Sequence, residues 1–321
     1  KLGGIIMKKK TKGIHHITAI VGNVHENVEF YSKVLGLRLV KKTVNFDDPQ
    51  TYHLYFSDED ATPGAVITFF PYENARPGRI GNGQVGVTSY LIPVGASKFW
   101  EDRLNKFNIQ YKKTKRFGEE FIEFTDPHGL KLELVEREGG KKNSWAVDDI
   151  TPDVAIKGFA GAVLYSHSPK DTAEALENIL GLEKVGEEGD YIRFKASADI
   201  GNIIDIKTTS LGRGITSLGT VHHIAWRADD EQDLLEWHKL IKENKFAVSQ
   251  VRNRKYFKSI YFSEKGGILF EIATDVPGFA VDEDKALLGQ KLMLPEWYED
   301  MREELEKTLP FGQISKIIIK S

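Results

Sequence analysis

Cysteine is absent from all 321 residues, which excludes disulfides, thiolate-held zinc or iron–sulfur centres and a cysteine nucleophile. Any metal site must therefore be assembled from His, Asp and Glu. A clear excess of either charge is missing too: 44 Lys and Arg stand against 47 Asp and Glu, a formal net charge of −3. That balance lacks the basic footprint that nucleic-acid binding requires. No apolar run approaches the roughly 18 residues of a membrane-spanning helix. The Lys8–Lys10 run has no apolar stretch of a secretory signal behind it, so neither a membrane nor an export route is expected, and the location expected is cytoplasmic. Met7, ahead of those lysines, reads as a natural start, and Lys1–Ile6 as a vector remnant or upstream extension. What is present is ordinary for a globular protein: 40% hydrophobic and 28% charged residues, in a length that suits two domains.

The chain repeats itself. GIHHITAIVGNVHENVEFYSKVLGLRLVKKTVN (13–45) and TVHHIAWRADDEQDLLEWHKLIKENKFAVSQVRN (220–253) share one plan: a His-His strand, a polar turn, an amphipathic helix and a second strand. Leu35-Gly36-Leu37 matches Leu180-Gly181-Leu182, each marking a helix end with glycine as its cap. FTDPHGLKLELVE (124–136) matches FSEKGGILFEIAT (262–274). Filling in between predicts four βαβββ modules, at about 13–72, 84–137, 157–208 and 219–274. A unit of about 55 residues is too small to close a core alone, so the modules must pair. The fold class expected is α+β: four βαβββ modules paired into two cup-shaped domains, with a C-terminal helical extension. The domains expected are 13–140 (modules one and two) and 155–275 (three and four), followed by the extension 276–321. Arg137–Ile156 reads as the link, and Pro295–Thr308, with charge pairs such as Glu304 and Lys307, as a helical strap across the second domain. The glycines at 78, 81, 83 and 86 read as a flexible crossing between modules one and two.

Strand parity selects the residues that carry chemistry. In VHHIAWR, His222 shares a face with Ile224 and Trp226, while His223 shares the more open one with Ala225 and Arg227. By the same rule His16 lies with Thr18, and His15 with Ile17. In ILFEIAT, Glu271 stands opposite the core face of Ile268, Phe270 and Ile272. A carboxylate held in so apolar a run needs compensation, which a divalent metal provides. His16, His223 and Glu271 thus have the composition of a two-His, one-carboxylate site of the kind that holds non-haem Fe(II). The bland alternative is two satisfied strand histidines and one salt-bridged Glu. The repeat also reveals gaps: the His position reads as Val85 or Gly86 in module two and Gly161 in module three, and the acid position as Phe69, Glu133 and Asp205 in modules one to three. A cup of modules three and four would offer Asp205, His223 and Glu271. Module one beside module four offers the better set, and Glu133 is then structural or vestigial. His128 reads as a surface turn residue, His25 and His238 as exposed on helices, and His53 and His167 have no assigned role.

HHITAIV (15–21), the Leu-Gly-Leu after the first helix, the turn FTDPHG, and HHIAWRA with LFEIATD resemble the glyoxalase/bleomycin-resistance/extradiol dioxygenase (vicinal oxygen chelate) superfamily over about residues 13–310. More closely, the chain resembles the 2,6-dichlorohydroquinone 1,2-dioxygenase group of ring-cleaving enzymes, because His occurs in modules one and four and not near Gly161. That resemblance implies metal ligands at His16, His223 and Glu271 and supporting catalytic roles for His15, Thr18, His222, Arg254 and Tyr261. Arg254 and Tyr261 would offer a cation and a phenol donor to a phenolate, and His222 an acid or base. It also implies a small aromatic substrate of hydroquinone type, O₂ as co-substrate, and Fe(II), with Mn(II), Ni(II) or Zn(II) as alternatives in purified protein. A homo-oligomer is compatible with the sequence and not specified by it. Two other classes stay open: a redox-silent glyoxalase-type isomerase or thiol transferase, which would use four protein ligands, and a protein that sequesters an aromatic compound without chemistry.

Overall fold

The computed structural model describes residues 8–310; the reading of Met7 and Lys1–Ile6, and the last residues of the extension, lie outside that range. All four modules fold as strand, helix and three strands. The first is β1 (Ile14–Val21), α1 (Val24–Glu29), β2 (Arg38–Asn45), β3 (Asp48–Ser57) and β4 (Val66–Pro71). Module two is β5 (Gln84–Ile92), α2 (Ser97–Lys106), β6 (Lys112–Arg116), β7 (Glu119–Thr125) and β8 (Lys131–Glu136). Module three is β9 (Gly158–Tyr165), α3 (Pro169–Glu174), β10 (Glu183–Glu188), β11 (Tyr191–Lys195) and β12 (Ile203–Lys207). Module four is β13 (Thr220–Ala228), α4 (Glu231–Glu243), β14 (Arg252–Asn253), β15 (Phe257–Ser263) and β16 (Leu269–Pro277). In modules one and three the helix runs on into a π-helical turn, Phe30–Val34 and Ala175–Ile179. Gly36 (φ +67°) and Gly181 (φ +75°) then reverse the chain in the left-handed region that favours glycine.

The strands form two eight-stranded sheets, in the orders β14-β15-β16-β13-β1-β4-β3-β2 and β10-β11-β12-β9-β5-β8-β7-β6. One sheet joins module four to module one through antiparallel β1 and β13; the other joins module three to module two through β5 and β9. Residues 13–140 and 155–275 thus each give one module to both sheets. Each helix lays its apolar side on its sheet. On α4 the buried residues are Leu234, Trp237 and Ile241, and Trp226, Phe262 and Phe270 belong to the same core, which continues into the second sheet.

Two expectations about connections are corrected. The glycine-rich crossing is held by pairing with the corresponding crossing of the other half: Gly78 N–H donates to the Leu218 carbonyl at 2.8 Å and Asn82 N–H to Gly212 at 2.7 Å. A Cβ on Gly78 or Gly81 would lie 2.7 Å from a carbonyl oxygen of the partner strand, so close backbone approach explains the glycines better than flexibility. The strap crosses module one instead of the second half of the chain. After a 3₁₀ stretch, Glu296–Met301, comes α5 (Arg302–Thr308). Tyr298 Oη donates to the Phe46 carbonyl at 2.9 Å, and Thr308 Oγ1 to Gln50 Oε1 at 3.1 Å. On this helix Lys307 pairs with Glu303, one turn away, and not with Glu304.

Candidate metal centre

The β1–β13 seam carries two register shifts. Ile14 faces Trp226 but His16 faces Ala225, leaving His15 as an extra residue; Thr18 faces His223 but Ala19 faces Val221, leaving His222 as the other. Such β-bulges re-aim side chains locally. They are why two consecutive histidines on each strand serve one site, which strict alternation forbids. His15 Nδ1 lies 2.8 Å from His16 Nδ1, and His222 Nδ1 lies 2.8 Å from His223 Nδ1.

With Nδ1 engaged, both inner histidines turn Nε2 inward. His16 Nε2 lies 3.1 Å and His223 Nε2 2.8 Å from Glu271 Oε2, and the two nitrogens are 3.4 Å apart. All three residues are buried, and among the described residues this is the one group of three whose donor atoms converge in this way. No well-aligned hydrogen bond reaches either Glu271 oxygen, although both imidazoles stand within contact distance of Oε2. Burial disfavours the charged carboxylate, but the two imidazoles hold Glu271 well below the ordinary carboxylate range. Burial also lowers His223. The result is a buried carboxylate with two imidazole nitrogens aimed at a common point. Two ligands at about 2.1 Å from a metal and at right angles to one another would be about 3 Å apart. The separations fit a divalent cation.

The cavity beside this cluster has a volume of about 300 Å³, at the small end of ligand pockets. His16, His223 and Glu271 line it, as do His222, Arg254 and Tyr261. Arg254 Nε donates to Tyr261 Oη at 3.3 Å, and its Nη2 pairs with Asp47 at 2.8 Å. His15 and Thr18 lie a layer deeper: His15 supports His16, and Thr18 Oγ1 is 2.7 Å from Thr68 Oγ1. Burial pushes His15 down to about 3 and His222 down to about 4, which keeps both neutral.

Sequence reasoning left His53 unassigned and did not single out Tyr55, yet both line the cavity. His53 Nε2 is 2.8 Å from Thr68 Oγ1, and its Nδ1 is 2.9 Å from Tyr55 Oη. A signal existed: HLYFS (53–57) repeats SIYFS (259–263), which makes Tyr55 the counterpart of Tyr261. Register also shifts two assigned positions by one residue. Thr68 pairs with Thr18 as Glu271 pairs with Ala225, so the module-one acid position is Thr68, and Phe69 is core. In module two the His position is Val87, since Gly86 is the bulged residue. Of the remaining histidines, His128 is not a surface group: its side chain is only 6% exposed.

The second sheet answers the same positions differently. Val87 and Gly161 replace the histidines, while Glu133 and Asp205 stand where Glu271 and Thr68 stand. Arg116, the counterpart of Arg254, donates to Asp205 Oδ2 at 2.6 Å and to Glu133 Oε2 at 3.0 Å. Arg193 adds bonds to Asp205 at 2.7 and 2.8 Å. Guanidinium groups here neutralise the acids of the second cup. Glu133 is thereby accounted for as structural.

The sequence pattern of the Glyoxalase/Bleomycin resistance protein/Dioxygenase superfamily matches residues 13–134 and 159–272. MhqO of Bacillus subtilis (strain 168), assigned as a ring-cleaving dioxygenase, is 61% identical over 306 residues, 95% of this chain and 98% of that protein. The chlorohydroquinone/hydroquinone 1,2-dioxygenase of Sphingobium indicum is 29% identical over 317 residues, 94% of this chain and 97% of that one. A crystal structure of an assigned dioxygenase from Bacillus subtilis subsp. subtilis str. 168 superposes with a TM-score of 0.93 at 61% identity, over 94% of this chain and 97% of the other. With both halves of the chain matched and relatives that extend along nearly all of it, this protein belongs to the glyoxalase/bleomycin resistance protein/dioxygenase superfamily.

Proposed function

We propose that this protein is a non-haem, Fe(II)-dependent dioxygenase that opens the ring of hydroquinone-type aromatic diols with O₂. The observation that carries the proposal is the convergence of three donor atoms, two imidazole nitrogens and one carboxylate oxygen, beside a cavity sized for a single ring. A three-donor set leaves room in a metal's shell for substrate and O₂. Iron held by His16, His223 and Glu271 would supply an electron path between ring and O₂. The names of the relatives point the same way, towards ring cleavage and hydroquinones.

The surrounding residues have definite polarity. If Nε2 of His16 and His223 serve the metal, their Nδ1–H groups donate to His15 and His222, whose own Nε2 atoms then carry hydrogen. His222 therefore meets the cavity as a neutral donor. Tyr261 Oη receives Arg254 Nε–H at 3.3 Å and Ser259 O–H at 3.2 Å, which frees its own hydrogen to point at an oxygen of the substrate. Burial raises Tyr261, so the phenol keeps that hydrogen. Arg254 adds a fixed positive charge that favours an ionised ring oxygen. Phe46, Phe70 and Phe257 form apolar walls that exclude water from the ring. A four-ligand, redox-silent chemistry is disfavoured because Thr68, tied to Thr18 and His53, stands where the fourth ligand would be.

The test is anaerobic reconstitution with Fe(II), addition of methyl- or chloro-hydroquinone, and measurement of O₂ uptake with the ultraviolet spectrum. One O₂ consumed per ring, with loss of the aromatic band, is expected; zinc-loaded protein and the His16→Ala variant should be inert. No uptake with hydroquinones or catechols at confirmed iron loading would overturn the proposal.

A further inference from the structure

The function proposed above leaves one requirement unmet. A para-diol that gives one ionised oxygen to the metal carries a second hydroxyl, still protonated, into the cavity. Buried without an acceptor, that hydroxyl weakens binding. The lining residues offer few free lone pairs. Asp47 is paired with Arg254 and Arg252, and Asn45 Oδ1 takes the Asp47 amide. Tyr261 Oη already receives Arg254 and Ser259, and His222 Nδ1 faces His223.

Tyr55 is different. Its Oη contacts His53 Nδ1 at 2.9 Å, and His53 Nε2 contacts Thr68, which contacts Thr18. These contacts run in either direction with the His53 tautomer; in one of them Tyr55 donates to His53, His53 to Thr68, and Thr68 to Thr18. The Tyr55 oxygen then keeps a lone pair facing the cavity. Tyr55 and Tyr261 occupy equivalent positions, since Tyr55 faces Thr68 as Tyr261 faces Glu271. With the chain in that direction, one phenol has its oxygen filled and its hydrogen free, and the other has its hydrogen taken and its oxygen free. That pair matches a ring with an ionised oxygen at one end and a hydroxyl at the other.

We infer that Tyr55, oriented by His53, accepts the hydrogen bond of the substrate hydroxyl that does not reach the metal, and so sets a preference for para-diols; this rests on the function proposed above. The test is equilibrium binding, without turnover: Fe(II)-loaded protein, O₂ excluded, titrated calorimetrically with hydroquinone and with phenol. Wild type is expected to bind hydroquinone about tenfold more tightly than phenol. Tyr55→Phe should bring that ratio to about two, the statistical advantage of two equivalent hydroxyls. His53→Leu should reduce it, and His53→Gln, whose carbonyl can still take the Tyr55 hydrogen, should restore it. Asp47→Asn should leave it unchanged. Iron content confirms folding of each variant, and if Tyr55→Phe fails to load iron, the His53 pair decides. A wild-type ratio near two, a Tyr55→Phe ratio equal to wild type, or loss of preference in Asp47→Asn overturns the inference while O₂ uptake with hydroquinone still stands. Wild type that binds hydroquinone too weakly to measure and consumes no O₂ removes the functional reading, and this inference with it.

Discussion

His15 shows what a neutral, buried imidazole does to stability. Unfolded, it takes up a proton near its ordinary value of 6.5; folded, burial holds it down to about 3. Its contribution to stability is therefore complete above about pH 6.5 and drains away as pH falls towards about 3, because the unfolded chain binds the proton that the folded one refuses. Urea denaturation of metal-free protein at pH 7, 6 and 5 should show this loss, and His15→Asn should flatten the dependence. At this scale the sequence was legible wherever the repeat repeated. His16, His223 and Glu271 stood out because they sit at matching places, and the structure brings their donor atoms together. Positions next to a bulge were not legible, since alternation miscounts by one wherever an extra residue enters a strand. Val87 was displaced for that reason; Thr68 lies on an unbulged strand, after a β3–β4 connection longer than the equivalent β15–β16 one, and His53 stayed unread because its partner, Thr68, lies on another strand.

Among elements, β6 ends in an arginine and β14 is followed directly by one, and the two do different work. Arg254, the residue after β14, keeps Nε on a phenol and Nη2 on an exposed carboxylate, and faces a cavity. Arg116, at the end of β6, closes on Glu133 and Asp205, both buried. Arg116→Leu leaves two buried carboxylates with one fewer cation, and by the usual cost of breaking a buried ion network should destabilise the fold by about 3–5 kcal/mol in chemical denaturation. Iron loading of the remaining native protein should be unaffected, because the metal cluster lies in the other sheet. The βαβββ order of the modules could be read because the chain repeats itself, so that the clear alternating runs of one module filled in for weaker strands in another, such as the two-residue β14. The π-helical turns after α1 and α3 could not, because nothing in FYSKV or ALENI differs in pattern from an ordinary helix.

In the whole molecule, the sheets cross the boundary between sequence halves. His16 comes from the first half, and His223 and Glu271 from the second. Chains ending near residue 140 and beginning near residue 141, expressed separately, should bind no stoichiometric Fe(II); co-expressed, they should copurify and bind one equivalent, measured by metal analysis after gel filtration. Independent binding by either half would contradict the shared sheets. The pairing partner was decided by chemistry in the sequence reading, where the ligand set asked for module one beside module four. The course of the strap was not, because Trp297 and Tyr298 meet Phe46 through the tertiary fold and no local pattern names that contact.

The β1–β13 seam also sets a clock. His16 and His223 are 207 residues apart in the chain. At about 5–20 residues per second of synthesis, the first histidine is made roughly 10–40 s before its partner exists. During that interval β1 can pair with β4, but the edge that will meet β13 stays open and apolar, as a strand edge that invites association with other chains. A nascent chain therefore holds no finished metal site until nearly all of the four modules have been made. A metal held by His16, His223 and Glu271 would thus be captured as a last step of maturation, after synthesis has committed the fold.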